Sequence, residues 1–168
     1  AIPSATTGLI NVFILRSGLI ALCLCLAAPL AAQTNITLGA INADPDAPVE
    51  ITADNLSVDQ DTGIAVFRGN VVVGQGDMRL SAGQVRVVYN EATGEVDRLS
   101  ITGGVTFVTA TEAAESQSAE YDISNGQLVL TGDVLLTQGA SAISADTMRV
   151  NLDDGSAVME GRVRTIFN

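Results

Sequence analysis

The sequence has 168 residues, no histidine, two cysteines and a formal net charge of −11. Without histidine there is no imidazole for acid–base catalysis or metal binding, and the eight cations are all arginine, set against nineteen acids. That balance excludes a basic surface for nucleic acid or anionic bilayers, both of which are held through Lys/Arg contacts with phosphate.

In chain order, residues 1–32 read as a signal peptide. Arg16 precedes an apolar or small run from Gly18 to Ala32, followed by polar Gln33 and Thr34. The apolar core is about 14 residues against the roughly 20 of a spanning helix, which argues against an uncleaved anchor. Cys23 and Cys25 both fall inside it, so the exported chain has no thiol for a disulfide, a nucleophile or a zinc site. No cofactor is expected. The exported part keeps seven arginines against nineteen acids, a charge of −12.

Residues 33–48 are small, polar and proline-bearing, and read as a flexible leader with one short strand at Ile36 to Leu38. From Val49 to Asn168 a pattern recurs about every 30 residues. Taking Val58, Tyr121 and Val150 as anchors, an apolar or small residue lies two before (Leu56, Ala119, Met148) and a turn glycine five after (Gly63, Gly126, Gly155). A second glycine lies eleven after (Gly69, Gly132, Gly161) and a valine thirteen after (Val71, Val134, Val163). A fourth copy, anchored on Tyr89 with Val87 and Gly94, is stretched, so that its second glycine is Gly103 or Gly104. A period of this size points to a stacked or coiled array of one supersecondary unit.

Within each copy apolar and polar residues alternate: Ala65, Phe67 and Val71 on one side with Arg68 and Asn70 on the other, then Leu128, Leu130 and Val134 against Thr131 and Asp133. Period-2 alternation predicts strands with one apolar and one wet face. Val66, Val129 and Val158 break the rule by placing valine on the wet side, through strand propensity or packing near a bend. Asx–glycine turns punctuate eight expected strands at 49–59, 64–74, 77–89, 95–109, 112–123, 127–138, 141–152 and 156–167. The in-strand glycine predicts a bulge or corner. The fold class is therefore all-β: an antiparallel, twisted sheet that covers its apolar face by curling or pairing.

Asp59-Gln60-Asp61-Thr62-Gly63 has the opening of a calcium loop but not its remaining ligands, and a hairpin turn accounts for it. Serine and threonine have neither histidine nor lysine to activate them, so no enzyme is expected. The candidate site is instead the apolar face: Leu56, Val58, Phe67, Val71, Val87, Tyr89, Tyr121, Leu128, Leu130, Val134, Met148, Val150, Met159 and Val163. As a core it needs no further role, yet a lining of valine, leucine and methionine also suits flexible acyl chains.

The stretches ITADNLSVDQDTGIAVFRGNVVV, SAEYDISNGQLVLTGDVLLTQG and SADTMRVNLDDGSAVMEGRVRTIF resemble the repeats of the LptA/OstA-like domain family of periplasmic lipopolysaccharide transport. The resemblance covers residues 49–167 and implies a half-open β-jellyroll located in the periplasm, with lipopolysaccharide acyl chains in the apolar groove. It also implies head-to-tail self-association by edge strands, near Val49 to Val58 and Val158 to Phe167, into a bridge between an inner-membrane Lpt complex and an outer-membrane translocon. A charge of −12 then requires lipid head groups to stay outside, to meet Arg68, Arg79 or Arg86, or to be bridged by divalent ions. The rival of a different class is a structural or adhesive β-solenoid whose apolar face is only a core.

Overall fold

The computed structural model describes residues 34–37 and 47–167; the expected signal peptide and most of the leader lie outside the described residues. Every regular element is a strand: β1 (Thr34–Thr37), β2 (Glu50–Thr52), β3 (Asn55–Asp59), β4 (Ile64–Gln75), β5 (Met78–Tyr89), β6 (Val96–Val108), β7 (Glu112–Asp122), β8 (Gln127–Gln138), β9 (Ser141–Asn151), β10 (Ser156–Glu160) and β11 (Arg164–Ile166). They form one sheet in which consecutive strands pair antiparallel from β4 to β10. The outer strands are interrupted: β2 and β3 lie in tandem along β4, and β10 and β11 lie in tandem along β9. The eight expected strands are thus eight paths, the first broken at Ala53-Asp54 and the last at Gly161-Arg162-Val163.

The interruptions belong to a crease that crosses the whole sheet. Successive residues take positive φ at Gly69 (79°) and Asn70 (46°), at Gly103 and Gly104 (86° and 80°), at Gly132 and Asp133 (86° and 47°), and at Gly161 and Arg162 (78° and 46°). Two consecutive left-handed residues cannot continue a ladder, and the register slips at each: Gly103 and Gly104 together oppose Gln117, and Gly132 and Asp133 oppose Asp146. The stretched copy is resolved by this geometry. Gly103 takes the glycine place and Gly104 the place of Asn70, so that Val105 aligns with Val71.

Side chains from the alternate strands hold the crease. Asn70 Nδ2 donates to Asp54 Oδ2 at 2.8 Å, Gln117 Nε2 donates to Asp133 Oδ2 at 2.7 Å, and Arg162 Nε donates to Asp146 Oδ1 at 2.8 Å. The backbone repeats the pattern, with the amides of Asp54 and Asp146 donating to the carbonyls of Gly69 and Gly161, each at 2.9 Å. At the β5–β6 corner no side chain intervenes, because Gly83 meets Gly103 backbone to backbone.

The crease divides each strand path into halves, so the sheet becomes two leaves with their apolar faces inward, an open β-jellyroll. Leu99, Ile101, Leu130 and Met148 on one leaf and Phe107, Ala114 and Val134 on the other are all at 0% exposure. Since Cα neighbours link only strands that pair in the sheet, the leaves meet through side chains, as stacked sheets about 10 Å apart must. One polar clasp ties them at an end: the Tyr121 hydroxyl donates to Gln75 Oε1 at 2.9 Å, and Gln75 Nε2 donates to the Ala47 carbonyl at 3.3 Å. The three outward valines also find their reason here. Val66 pairs with Arg86, and Val129 and Val158 both pair with Arg149, so each half-buried valine lies cross-strand from the apolar stem of an arginine.

Two predictions follow from these contacts. A Cβ at Gly132 would lie 2.8 Å from Gln117 Oε1, whereas one at Gly104 meets nothing within 4 Å. In urea melts Gly132→Ala should therefore cost about 2–3 kcal/mol and Gly104→Ala about 1 kcal/mol, the second reflecting backbone strain alone. Burial, and after it the negative charge of Asp153, push the Tyr121 phenol above its ordinary value. With the folded value above the unfolded one of about 10, this contribution is complete below pH 10 and lost as the pH rises through the folded value. Tyr121→Phe should cost about 1–2 kcal/mol at neutral pH and should flatten the fall in stability above about pH 10, measured by the same melts.

Candidate functional site

The fourteen residues expected to line an apolar groove all belong to the inward set, but the structure sorts them into three groups. Val71, Val87, Tyr121, Leu128, Leu130, Val134, Met148, Val150 and Met159 are each at 3% exposure or less and form the centre of the packed interior. Phe67 and Val163 are partly buried against that core. Leu56, Val58 and Tyr89 are exposed, at 55%, 59% and 39%. The inward face is therefore a continuous stripe whose middle is closed by leaf-to-leaf packing and whose β3 end is uncovered.

Opposite halves are left bare at the two ends. At the first edge it is β3, exposed at every residue, that carries Leu56 and Val58 without a covering leaf. At the last edge Ala157 and Met159 of β10 are buried, while the other leaf ends on half-buried Val163 and on Phe167, exposed at 80%; Ile166, opposite Ala142, lies on the outward face. Large apolar residues left exposed at each end of an otherwise alternating sheet, Leu56 and Val58 at one and Phe167 at the other, mark surfaces that await cover. Among the described residues no strand pairs with the outer side of β2, β3 or β11. The outer side of β10 is different: β1 pairs with it antiparallel, Thr34 opposite Met159 and Thr37 opposite Ser156. The expectation that the Val158 to Phe167 edge stands open therefore needs correction over β10, since the leader strand reaches it; that strand spans Thr34–Thr37 and not Ile36 to Leu38.

The three arginines expected to meet head groups are not brought together. Arg68 and Arg86 share the outer face of one leaf, where Arg68 Nε donates to Gln84 Oε1 at 3.0 Å and its Nη1 donates to Ser57 Oγ at 3.2 Å. Arg86 lines an outer cleft with Ser57, Asp59 and Thr62. Arg79 lies on the other leaf, its Nη1 donating to the carbonyls of Gly76 and Met78 at 2.5 and 2.7 Å.

One outer cleft carries Glu120 and Asp122 beside Arg98 and Asn125. There the hydrogen bonds from Asn125 and Ser124 hold Asp122 below the usual carboxylate range, so it serves the β7–β8 turn as an ionised acceptor and not as a proton donor. Among the described residues no group of three or more acids is placed to hold a metal ion. A buried carboxylate, Glu112, accepts from the Thr109 hydroxyl at 2.8 Å, from Gln138 Nε2 at 3.1 Å and from the Thr111 hydroxyl. It closes the rim of one leaf.

Reasoning by repeat offsets misses a large part of the interior. Leu80, Leu99, Ile101, Phe107 and Leu136 are each at 2% exposure or less, and the first four lie on β5 and β6, in the copy whose offsets are stretched. Their own period-2 alternation was the available signal.

The comparisons with known proteins agree with this architecture. A family model described as LptA/(LptD N-terminal domain) LPS transport protein matches residues 50–160. An uncharacterized protein of Rhizobium meliloti is 28% identical over 148 residues, 82% of this chain and 80% of that protein. The lipopolysaccharide export system protein LptA of Escherichia coli K12 is 30% identical over 139 residues, 78% of this chain and 74% of that protein. The crystal structure of Pseudomonas aeruginosa LptH, described as the LptA homologous periplasmic component of the conserved lipopolysaccharide transport device, shares the fold with a TM-score of 0.66. It is 17% identical, over 75% of this chain and 99% of that one. With the family matched across the paired strands from β2 to β10, the chain belongs to the LptA/(LptD N-terminal domain) family of LPS transport proteins.

Proposed function

We propose that this chain is a periplasmic carrier of lipopolysaccharide, which takes acyl chains between its two leaves and stacks head to tail into a bridge between the inner and outer membranes. Family membership supports the coarse part of this reading. The observation that carries the finer part is the inward stripe that runs from the packed centre out to uncovered Leu56 and Val58. In the closed leaves Val71, Leu130 and Met148 belong to one buried core cluster, so an acyl chain enters by replacing leaf-to-leaf packing, beginning where no leaf covers the stripe. Both arrangements keep hydrocarbon from water, and the exchange costs little per unit area.

Head groups remain outside. Among the described residues no arginine is buried, and Arg68 and Arg79 are already engaged with neighbouring oxygens on the outer faces. The acidic surface disfavours phosphate contact unless divalent ions bridge the two. No chemical step is assigned to the protein, and the energy for directional movement comes from an ATP-driven inner-membrane complex.

Stacking is supported by strand parity and by the bare ends. Eight antiparallel paths are an even number, so the β3 of a second copy arrives antiparallel to β10, continuing the alternation. Leu56 and Val58 of the added copy would then lie under the overhanging leaf that ends at Phe167, and each bare end would cover the other. In the same arrangement the crease continues across the junction, Asp54 of one copy meeting Arg162 of the next.

The acyl-chain reading is tested at two adjacent positions. A photo-crosslinking residue at Phe67, on the inward side, should capture the lipid A part of lipopolysaccharide, while one at Val66, on the outward side, should not. Equal capture at both, or capture at neither, would remove the groove. Leu56→Ser, at an exposed place that leaves the core intact, should weaken lipopolysaccharide binding about tenfold, the equivalent of one apolar side chain's contact, in a fluorescence titration.

A further inference from the structure

We infer that β1 is a built-in stopper: it occupies on β10 the place that the β3 of a second copy would take, and so holds the chain out of head-to-tail stacks until it is displaced. The inference rests on the stacking reading above and adds regulation to it.

Register carries the argument. Within the chain each strand that follows a crease corner pairs at fixed offsets from it. On β8, Leu128 faces Val150, Leu130 faces Met148 and Thr131 faces Thr147, with Asp146 at the corner beyond. Val58, Leu56, Asn55 and Asp54 stand at the same offsets in the first copy of the sequence pattern as Val150, Met148, Thr147 and Asp146. Transferred to β10, where Ala157, Met159 and Glu160 correspond to Leu128, Leu130 and Thr131, the rule seats the Val58 of a second copy opposite Ala157 and its Leu56 opposite Met159. Those two places are taken in the chain by Ile36, opposite Ala157, and Thr34, opposite Met159. The leader strand and the incoming β3 compete for the same backbone groups in the same register, so both cannot be seated at once.

The pairing is within reach of a single chain. Ala47 is tied through Gln75 to Tyr121, and Tyr121 shares one rung of the sheet with Leu128, Val150, Ala157 and Ile36. Four strand spacings from Tyr121 to Ile36 amount to about 19 Å. The eleven residue steps from Ile36 to Ala47 span up to about 36 Å, which also covers the offset through the Gln75 side chain. A strand tethered this way acts at an effective concentration of about millimolar, enough to outcompete a dilute second copy. Its hold is short, four residues, and it covers only one leaf, because among the described residues no strand pairs with the outer side of β11. A second copy that first pairs β2 with β11 is then positioned to strip β1 from β10.

The test uses the full chain and Asn35→Pro/Ile36→Pro, which removes two adjacent amides from β1 so that neither pairing parity survives. Sedimentation equilibrium should show the double variant self-associating with a dissociation constant about tenfold or more below wild type, and hydrogen exchange of the Ala157–Glu160 amides in dilute samples should accelerate. Unchanged exchange there, or equal association of the two proteins, overturns the stopper while the stacking reading stands. Faster exchange with no association of either protein overturns the stacking reading itself. Adding Asp54→Arg to the double variant sets arginine against Arg162 across the junction and should abolish the gain; a gain that persists would place the second copy elsewhere than on β10 and overturn the competition.

Discussion

The structure depends on a bend that every strand makes at the same level. An antiparallel sheet of this length with one apolar face has two ways to remove that face from water: it can wait for a partner, or it can fold over. Folding over requires each ladder to break in register with its neighbours, and the chain meets this with paired left-handed residues on alternate strands. Glycine in the first place avoids the Cβ clash, while the second place admits Asn70, Asp133 and even Arg162 because a side chain from the adjacent strand accepts or donates a hydrogen bond there. The crease is local strain compensated locally. The return is global, since a full set of inward side chains reaches near-zero exposure without a second domain.

The same bend decides what the ends look like. Because twisted leaves do not superpose edge for edge, one end of the folded sheet leaves β3 bare and the other leaves the tip beyond β11 bare. A closed barrel would have no such ends, and a flat sandwich would have them polar. Here each end is apolar on a complementary half, which supports the proposed stacking, in which one unit continues into a copy of itself. The acidic outer surface limits that continuation to the edges, since like-charged faces repel in every other approach.

Much of this was legible in the residues, and the limits have physical causes. Alternation fixed the two faces, and the Asx–glycine turns fixed the hairpins, because both are local properties of φ and of side-chain period. The in-strand glycines announced the crease. What they did not announce was that Arg162 would be left-handed: the guanidinium is held there by Asp146, a neighbour only in space. Offsets copied from one repeat to another failed across Gly94 to Gly103, where three extra residues shift the pattern, and with them went Leu99, Ile101 and Phe107. The partner of the leader strand was equally out of reach, since four residues with no strong pattern of their own pair with the far end of the chain. Alternation tells which side chains face inward but not how far apart two facing leaves stand, so an open groove and a packed interior give the same sequence.

That last ambiguity bears on how a closed interior is compatible with carrying hydrocarbon. A permanently open groove lined by valine, leucine and methionine would expose a large apolar stripe to water and would collapse or aggregate. Leaves that pack on each other when empty avoid this, and they also prevent cargo from being held too tightly. Each acyl contact formed replaces a leaf-to-leaf contact of the same chemical kind, so the net binding energy stays small even though the buried area is large. Under the proposed function, a carrier that releases to the next copy needs such near-balance. In the proposed function the Tyr121–Gln75 clasp pins the leaves on one side, so that they part from the uncovered β3 side, where a neighbouring copy would present or receive the chain.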